Sequence, residues 1–280
     1  MEKIRPITNP RNNLIRFIRS LKKKRTREEK GKFLIEGINS IKEALKTDIE
    51  IPYFVYSLDL YRVSGGKELI EDLQQRGERL LLVSEAIFNK LSETKTPQGI
   101  LAVPSRLKWE EKNIMEAKKS FVFVLVGIQD PGNMGTVVRI SDALAMDGII
   151  VSEDSVDHYN PKTVRSTMGA IFRMPIYKTD DIREYLKKMK DNGFKIISTT
   201  LSDRSQVHDS PDYSSMDKIA IIMGNEANGI PEDICEFSDL QVKIPILGKI
   251  DSLNIGVSAG IISYEVIRQK GWRPVNGDKE

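Results

Sequence analysis

Residues Phe121 to Val126 form an unbroken apolar run that stops at a cluster of turn residues, Asp130-Pro131-Gly132-Asn133-Met134-Gly135. A strand with no polar alternation is suited to burial on both faces, as in the interior of a parallel sheet covered by helices. Two further expected strands run into turn residues in the same way. Ile219 to Met223 leads into Gly224-Asn225-Glu226-Ala227-Asn228-Gly229, and Gln241 to Ile244 leads into Pro245-Ile246 and then Ser252-Leu253-Asn254. Ligands of open α/β sheets sit outside the carboxyl ends of the strands, so three such loops on one sheet edge are expected to converge on one pocket.

The rest of this half alternates in the same way. A helix is expected at about 135–146, then a strand at Gly148 to Val151, a helix at 181–191, a strand at Lys195 to Thr199 and a final helix at 253–269. Strand–helix alternation predicts a parallel, doubly wound sheet over residues 120–280. Residues 1–105 read as a small α/β unit. They carry an amphipathic helix at 11–24, short strands at Phe33 to Ile35, Phe54 to Tyr56, Leu80 to Val83 and Ile100 to Val103, a helix at 40–46 capped by Asn39, and another at 67–76. Residues 106–119 are charged without a clear apolar period and read as the linker.

A net charge of +3 hides an asymmetry: residues 1–32 hold twelve Lys or Arg against three Glu, a net of +9, which leaves −6 for the remainder. A basic arm on a mildly acidic body points to a polyanion, most simply nucleic acid, although a solvated helix face would look the same. Phe17, Phe33, Tyr53 and Tyr56 near the arm are candidates to stack on bases or to fill the core, with core favoured for Phe33. One cysteine, Cys235, excludes a disulfide framework or thiolate cluster and fits a reducing, cytoplasmic compartment. With only His158 and His208, a histidine metal site is not expected. The N-terminus has no signal-like apolar core, and no apolar run is long enough to span a bilayer, so no membrane partner is expected.

The glycines form neither G-x-G-x-x-G nor a P-loop. Gly132 to Gly135 before a helix offers backbone N–H groups to a phosphate, or is a plain turn. Arg139 is either a two-donor phosphate ligand or a surface arginine. Glu226 is a site carboxylate or an ordinary turn residue; Ser252 is the expected N-cap of the last helix, and Asn254 in its first turn is a ligand amide or serves only capping and loop packing. Gly256, Ser258, Ala259 and Gly260 make the last helix rich in small residues, which points to close backbone approach: a crossing chain, a subunit interface or a tightly packed core.

Together these blocks resemble the SpoU-type RNA ribose 2′-O-methyltransferases of the SPOUT superfamily. The likeness extends to Arg165-Ser166-Thr167-Met168-Gly169-Ala170, to Phe33-Leu34-Ile35-Glu36-Gly37 and to Pro97-Gln98-Gly99-Ile100, and so covers most of the chain. The resemblance implies a C-terminal domain that binds S-adenosylmethionine and whose chain is tucked into a trefoil knot; nothing in the residue pattern itself points to a knot. It also implies a homodimer through that domain and a small RNA-binding α/β domain ahead of it. By resemblance, Gly224, Ile244 and Leu253, with Thr200, Met223 and Ser252, hold the cofactor. Arg139, Glu226, Asn254 and Asn133 form the catalytic group, with Arg139 either accepting the proton or clamping a phosphate. Lys22, Lys23, Lys24, Arg25 and Arg165 are expected to bind RNA. Ribosomal RNA is the expected substrate, with transfer RNA the alternative. A catalytically silent RNA-binding protein and a small-molecule O-methyltransferase are the rival readings. No metal is implied.

Overall fold

The computed structural model describes residues 5–271. The chain forms two compact units, Met1–Lys108 with Asp157–Arg173, and Trp109–Val156 with Met174–Glu280.

The first unit begins with α1 (Asn13–Ser20) and α2 (Lys24–Lys30), then β1 (Ile35–Glu36), α3 (Ile38–Ala44), β2 (Tyr53–Tyr56), α4 (Gly66–Gln75), β3 (Leu80–Leu82), α5 (Glu85–Leu91) and β4 (Ile100–Val103). Its sheet has the order β1-β4-β2-β3, antiparallel on both sides of β4 and parallel between β2 and β3. The single helix expected over 11–24 is two. Asn12 caps α1, its side chain accepting from the Leu14 and Ile15 N–H groups, and Lys23 is extended at φ −89° before α2 begins. The carbonyls of Leu21 and Lys22, left without helical partners by the break, are taken by the Arg27 guanidinium. Ile15, Ile18 and Leu21 bury the apolar stripe of this segment against Val55, Phe88, Leu101 and Val103.

Two of the N-terminal motifs interlock. Gly37, not Asn39, caps α3; it has φ +96°, and the Gln98 side-chain oxygen accepts from the Ile38 N–H at 2.9 Å. A Cβ at Gly37 would stand 2.9 Å from that oxygen, so the glycine and the glutamine need each other. Glu36 accepts from the Ser92 and Thr94 hydroxyls and the Glu93 N–H, pinning the loop after α5. Phe33 and Tyr56 are buried, while Phe17 and Tyr53 pack against the core with part of their surface outside it. Arg79 already lies over the Tyr53 ring at 4.8 Å.

The second unit comprises α6 (Lys112–Met115), β5 (Ser120–Leu125), α7 (Pro131–Ala143), β6 (Gly148–Ser152) and, beyond the insertion at 157–173 that carries α8 (Pro161–Ser166), the elements β7 (Ile176–Thr179), α9 (Ile182–Asp191), β8 (Lys195–Thr199), β9 (Gln206–Val207), β10 (Lys218–Met223), α10 (Glu232–Cys235), β11 (Leu240–Lys243) and α11 (Ile255–Lys270). Seven parallel strands follow the order β7-β6-β5-β10-β8-β11-β9. Every residue of β5 and β6 is buried, as the unbroken apolar runs require. Part of the charged stretch read as a linker belongs to this core: Ile114 and Met115 are buried with Val122, Ala220 and Phe194. α11 packs on α7, and its last turn is held by the chain between β9 and β10. Gln269 accepts from the Tyr213 N–H, and Lys270 donates to the Met216 carbonyl. This is the part of the chain in which the resemblance places the knot.

Candidate active site

α7 starts earlier than the sequence suggested. The Asp130 carboxylate accepts from the Asn133 N–H at 2.9 Å and Pro131 stands at the first turn, where its missing N–H costs nothing. Gly132 to Gly135 is therefore the first turn of the helix rather than a loop before it, and it projects the Asn133 side chain from the helix start.

Gly224 to Gly229 closes as a tight loop through two backbone hydrogen bonds between Asn225 and Gly229, both 2.9 Å. A Cβ on Gly224 would lie 2.4 Å from the Gly229 carbonyl carbon, so no larger residue fits there. The Asn225 side chain accepts from the Ala227 and Asn228 N–H groups and donates to the Gly127 carbonyl at 2.7 Å, tying this loop to the end of β5. Glu226 is thereby aimed at the start of α7. It accepts from the Gln129 and Asp130 N–H groups at 3.2 Å each and from the Asn133 amide at 2.9 Å. Burial pushes the Glu226 carboxyl up, but the Asn133 amide and the backbone N–H donors outweigh it and hold the group below its ordinary value.

The third loop closes the arrangement. Asn254, not Ser252, is the cap of α11: its oxygen accepts from the Gly256 N–H at 2.9 Å. Its amide nitrogen donates to the Asn133 oxygen, also at 2.9 Å. Asn254 therefore caps the helix and also reaches the Asn133 side chain. The three motifs meet in a directed relay in which Asn254 donates to Asn133 and Asn133 donates to Glu226.

Beside this relay lies a cavity of about 800 Å³. Thr200, Met223, Gly224, Ile244, Ser252 and Leu253 line it, as do Asn133, Glu226 and Asn254. Its walls also include Thr199, Ser202, Asn228, Val242 and Ile262, which the sequence reading did not single out. Apolar surfaces from Met223, Ile244, Leu253 and Ile262 beside hydroxyl and amide groups suit a nucleoside with a flat ring and a polar ribose. The volume and this donor set fit S-adenosylmethionine.

Arg139 does not line the cavity. It is exposed on α7, and among the described residues its side chain makes no hydrogen bond or ion pair. The basic candidates divide. Lys22 is committed within its own unit, donating to the Lys90 and Ser92 carbonyls and pairing with Glu93 at 2.9 Å. Lys23, Lys24 and Arg25 are exposed, Arg25 beside Glu29. Arg165 sits in the last turn of α8, in the first unit. Sequence reasoning missed Asn225, Gln129 and Asp130, whose roles depend on contacts across the sheet edge; the Asp-Pro pair at a strand end was the one local signal for the cap.

Comparison with known proteins agrees with this geometry. Residues 120–264 match the SpoU rRNA Methylase family and residues 12–102 an MRM3-like substrate binding domain. The chain is 31% identical over 263 residues to the 23S rRNA (guanosine(2553)-2′-O)-methyltransferase RlmP of Bacillus subtilis, covering 94% of this chain and 99% of that protein. An AdoMet-bound rRNA methyltransferase from Sinorhizobium meliloti superposes with a TM-score of 0.82 at 27% identity, covering 94% of this chain and 97% of the other. A structure described as an RNA 2′-O ribose methyltransferase gives 0.80 at 27% identity, covering 96% of this chain and all of the other. With the family match spanning more than half of its length and both halves accounted for, this chain belongs to the SpoU rRNA methylase family.

Proposed function

We propose that the chain transfers a methyl group from S-adenosylmethionine to a ribose 2′-hydroxyl of ribosomal RNA. The observation that carries this reading is the convergence of three ordered motif loops on one cavity, joined by the Asn254–Asn133–Glu226 relay. When bound, S-adenosylmethionine supplies a methyl group already activated on its sulfonium. Gly224, Ile244 and Leu253, with Met223, Thr200 and Ser252, are the residues proposed to hold it. What remains for the protein is alignment and management of one proton. Asn133 and Asn254 orient the ribose edge of the site, and the Glu226 carboxylate fixes their amides in one direction. Arg139 is assigned to the RNA phosphate and to the negative charge that develops on the 2′-oxygen. A guanidinium stays protonated, which favours a clamp over a proton acceptor, so the hydroxyl proton is released to solvent water as the methyl group leaves the sulfonium.

The first unit supplies the RNA-binding surface in this reading, through Lys23, Lys24 and Arg25 and through Arg165. Electrostatic binding of this kind weakens steeply with salt. A second copy of the chain is proposed to pack on α11. Val257, Ile261 and Tyr264 recur at helical spacing on that helix and are exposed at 51%, 36% and 64%. A cytoplasmic location follows from the substrate; among the described residues no helix is long and apolar enough to cross a membrane.

The test is transfer of labelled methyl from S-adenosylmethionine to protein-free ribosomal RNA and to transfer RNA, followed by mapping of 2′-O-methyl positions. Label in a single ribose of ribosomal RNA is the expected result. Label only in transfer RNA, or on a base, would overturn the assignment.

A further inference from the structure

Among the described residues two non-glycine positions have positive φ, Ala145 at 49° and Met168 at 52°. Each directly follows the residue that caps a helix, Leu144 of α7 and Thr167 of α8. The left-handed conformation is usual at that place, and glycine is the residue that adopts it without penalty. Gly77 and Gly193 serve α4 and α9 in this way, and Gly31 and Gly271, also left-handed, are themselves the caps of α2 and α11. At 145 the chain uses the smallest side chain that has a Cβ. At 168 it uses a long thioether, 58% exposed, which does not compensate the unfavourable backbone by filling the core.

The neighbouring turn is fixed by sterics. Gly169 has φ +94°, and a Cβ there would lie 2.6 Å from the Glu43 Cγ. The Met168 N–H donates to the Arg165 carbonyl at 3.2 Å, which anchors the turn to α8. Between Asn160 and Arg173 stand Lys162, Arg165 and Arg173 and no Asp or Glu; Arg173 is paired with Glu43 at 2.7 Å, which leaves Lys162 and Arg165 as the excess positive charge of the segment. A flexible, polarisable apolar tip on a positively charged turn matches an unstacked nucleobase on a phosphate backbone.

We propose that Met168 is a contact for the substrate RNA, its side chain packing on an unpaired base while the basic residues of the same segment attract the backbone. This rests on the RNA-methylating function proposed above. The test uses the full-length protein and protein-free ribosomal RNA. Met168→Gly relieves the backbone, so its melting temperature should equal or exceed that of the wild type. Its KM for RNA and its RNA Kd by filter binding should rise about fivefold, with S-adenosylmethionine affinity unchanged. Met168→Leu, which restores an apolar tip of similar volume, should recover most of the RNA affinity. An unchanged KM in Met168→Gly, or a clear drop in its melting temperature, overturns the proposal. A wild type that binds RNA but transfers no methyl would defeat the proposed function and leave the binding comparison to decide the role of Met168.

Discussion

Arg27 and Asp157 lie 130 residues apart in sequence and form a buried ion pair, the arginine 2% and the aspartate 9% exposed. The same guanidinium takes the Leu21 and Lys22 carbonyls, so it joins the break between α1 and α2 to the inserted segment 157–173 within one unit. One of the twelve basic residues counted as polyanion-binding is therefore a structural clamp.

Arg27→Ala should destabilise this unit by about 3–5 kcal/mol, because it leaves a buried carboxylate without its partner. Burial would raise the Asp157 carboxyl, but Arg27, His158 and the Tyr159 N–H outweigh it and hold the group below its ordinary value. A depressed folded-state value means the pair's contribution is present above the unfolded carboxyl value, about 3.9, and is lost as pH falls through the folded one. The melting-temperature gap between wild type and Arg27→Ala should be widest near neutrality and shrink below about pH 4. A gap that stays constant across this range would show that the loss comes from packing and not from the ion pair.

Asn133 is the centre of the relay and one of the donors that favour the ionised Glu226. Asn133→Ala removes one of the groups that lower the Glu226 carboxyl, leaving the backbone N–H donors alone to oppose burial. In the wild type the acid limb of the rate profile should not come from Glu226 until the pH drops below the usual glutamate range, about 4.3. In Asn133→Ala the limb should move to higher pH, and turnover at neutral pH should fall about 10- to 100-fold through lost positioning. A pH–rate series under single-turnover conditions separates the two effects; an unmoved acid limb would remove Glu226 from the catalytic step.

The small residues of α11 differ in what they do. A Cβ on Gly256 would stand 2.6 Å from the Thr136 Cγ2 of α7, whereas one on Gly260 meets nothing closer than the Ile140 Cδ1 at 3.8 Å. Gly256→Ala should therefore cost about 1–3 kcal/mol by overpacking and shift the adjoining Asn254. Gly260→Ala should gain up to about 1 kcal/mol from helix propensity. Chemical denaturation of both variants beside sedimentation of the wild type is the measurement. If Gly260→Ala is instead destabilising and monomeric, the small residue serves the subunit interface rather than the protomer.

The parts of this molecule legible in the sequence are those set by local pattern. Continuous apolar runs gave the buried strands β5, β6 and β10, and Gly, Pro and Asn marked the loops that converge on the cavity. β7 was missed because Ile176–Thr179 is a short edge strand with only one residue fully buried. α6 and α8 were missed because four and six residues are too few to show a helical period. The division of labour among basic residues was not legible either. Lys22 and Arg27 look like Lys23 and Arg25 in a charge count, and their partners in the fold tell them apart: the Lys90 and Ser92 carbonyls and Glu93 for Lys22, the Leu21 and Lys22 carbonyls and Asp157 for Arg27. The relay spans 93 residues from Asn133 to Glu226 and 121 to Asn254, separations at which a motif gives membership of a site but not the direction of its hydrogen bonds.

Arg139 is the sharpest test of the assigned chemistry, because the structure sets it apart from the cofactor residues. It is exposed on α7, outside the cavity lining, and no described residue pairs with it. Arg139→Ala should therefore leave S-adenosylmethionine affinity, read by calorimetry, within about twofold of the wild type. Methyl transfer to RNA should fall about 10²-fold or more, the scale on which removal of a positioned charge-stabilising or proton-handling group acts. Arg139→Lys should restore little, since an ammonium cannot reproduce the planar two-donor fork on a phosphate. Full rescue by lysine would reduce the role to a point charge. Near-normal turnover in Arg139→Ala would make it an ordinary surface arginine, and the reacting hydroxyl would have to be sought nearer the Asn254–Asn133–Glu226 relay.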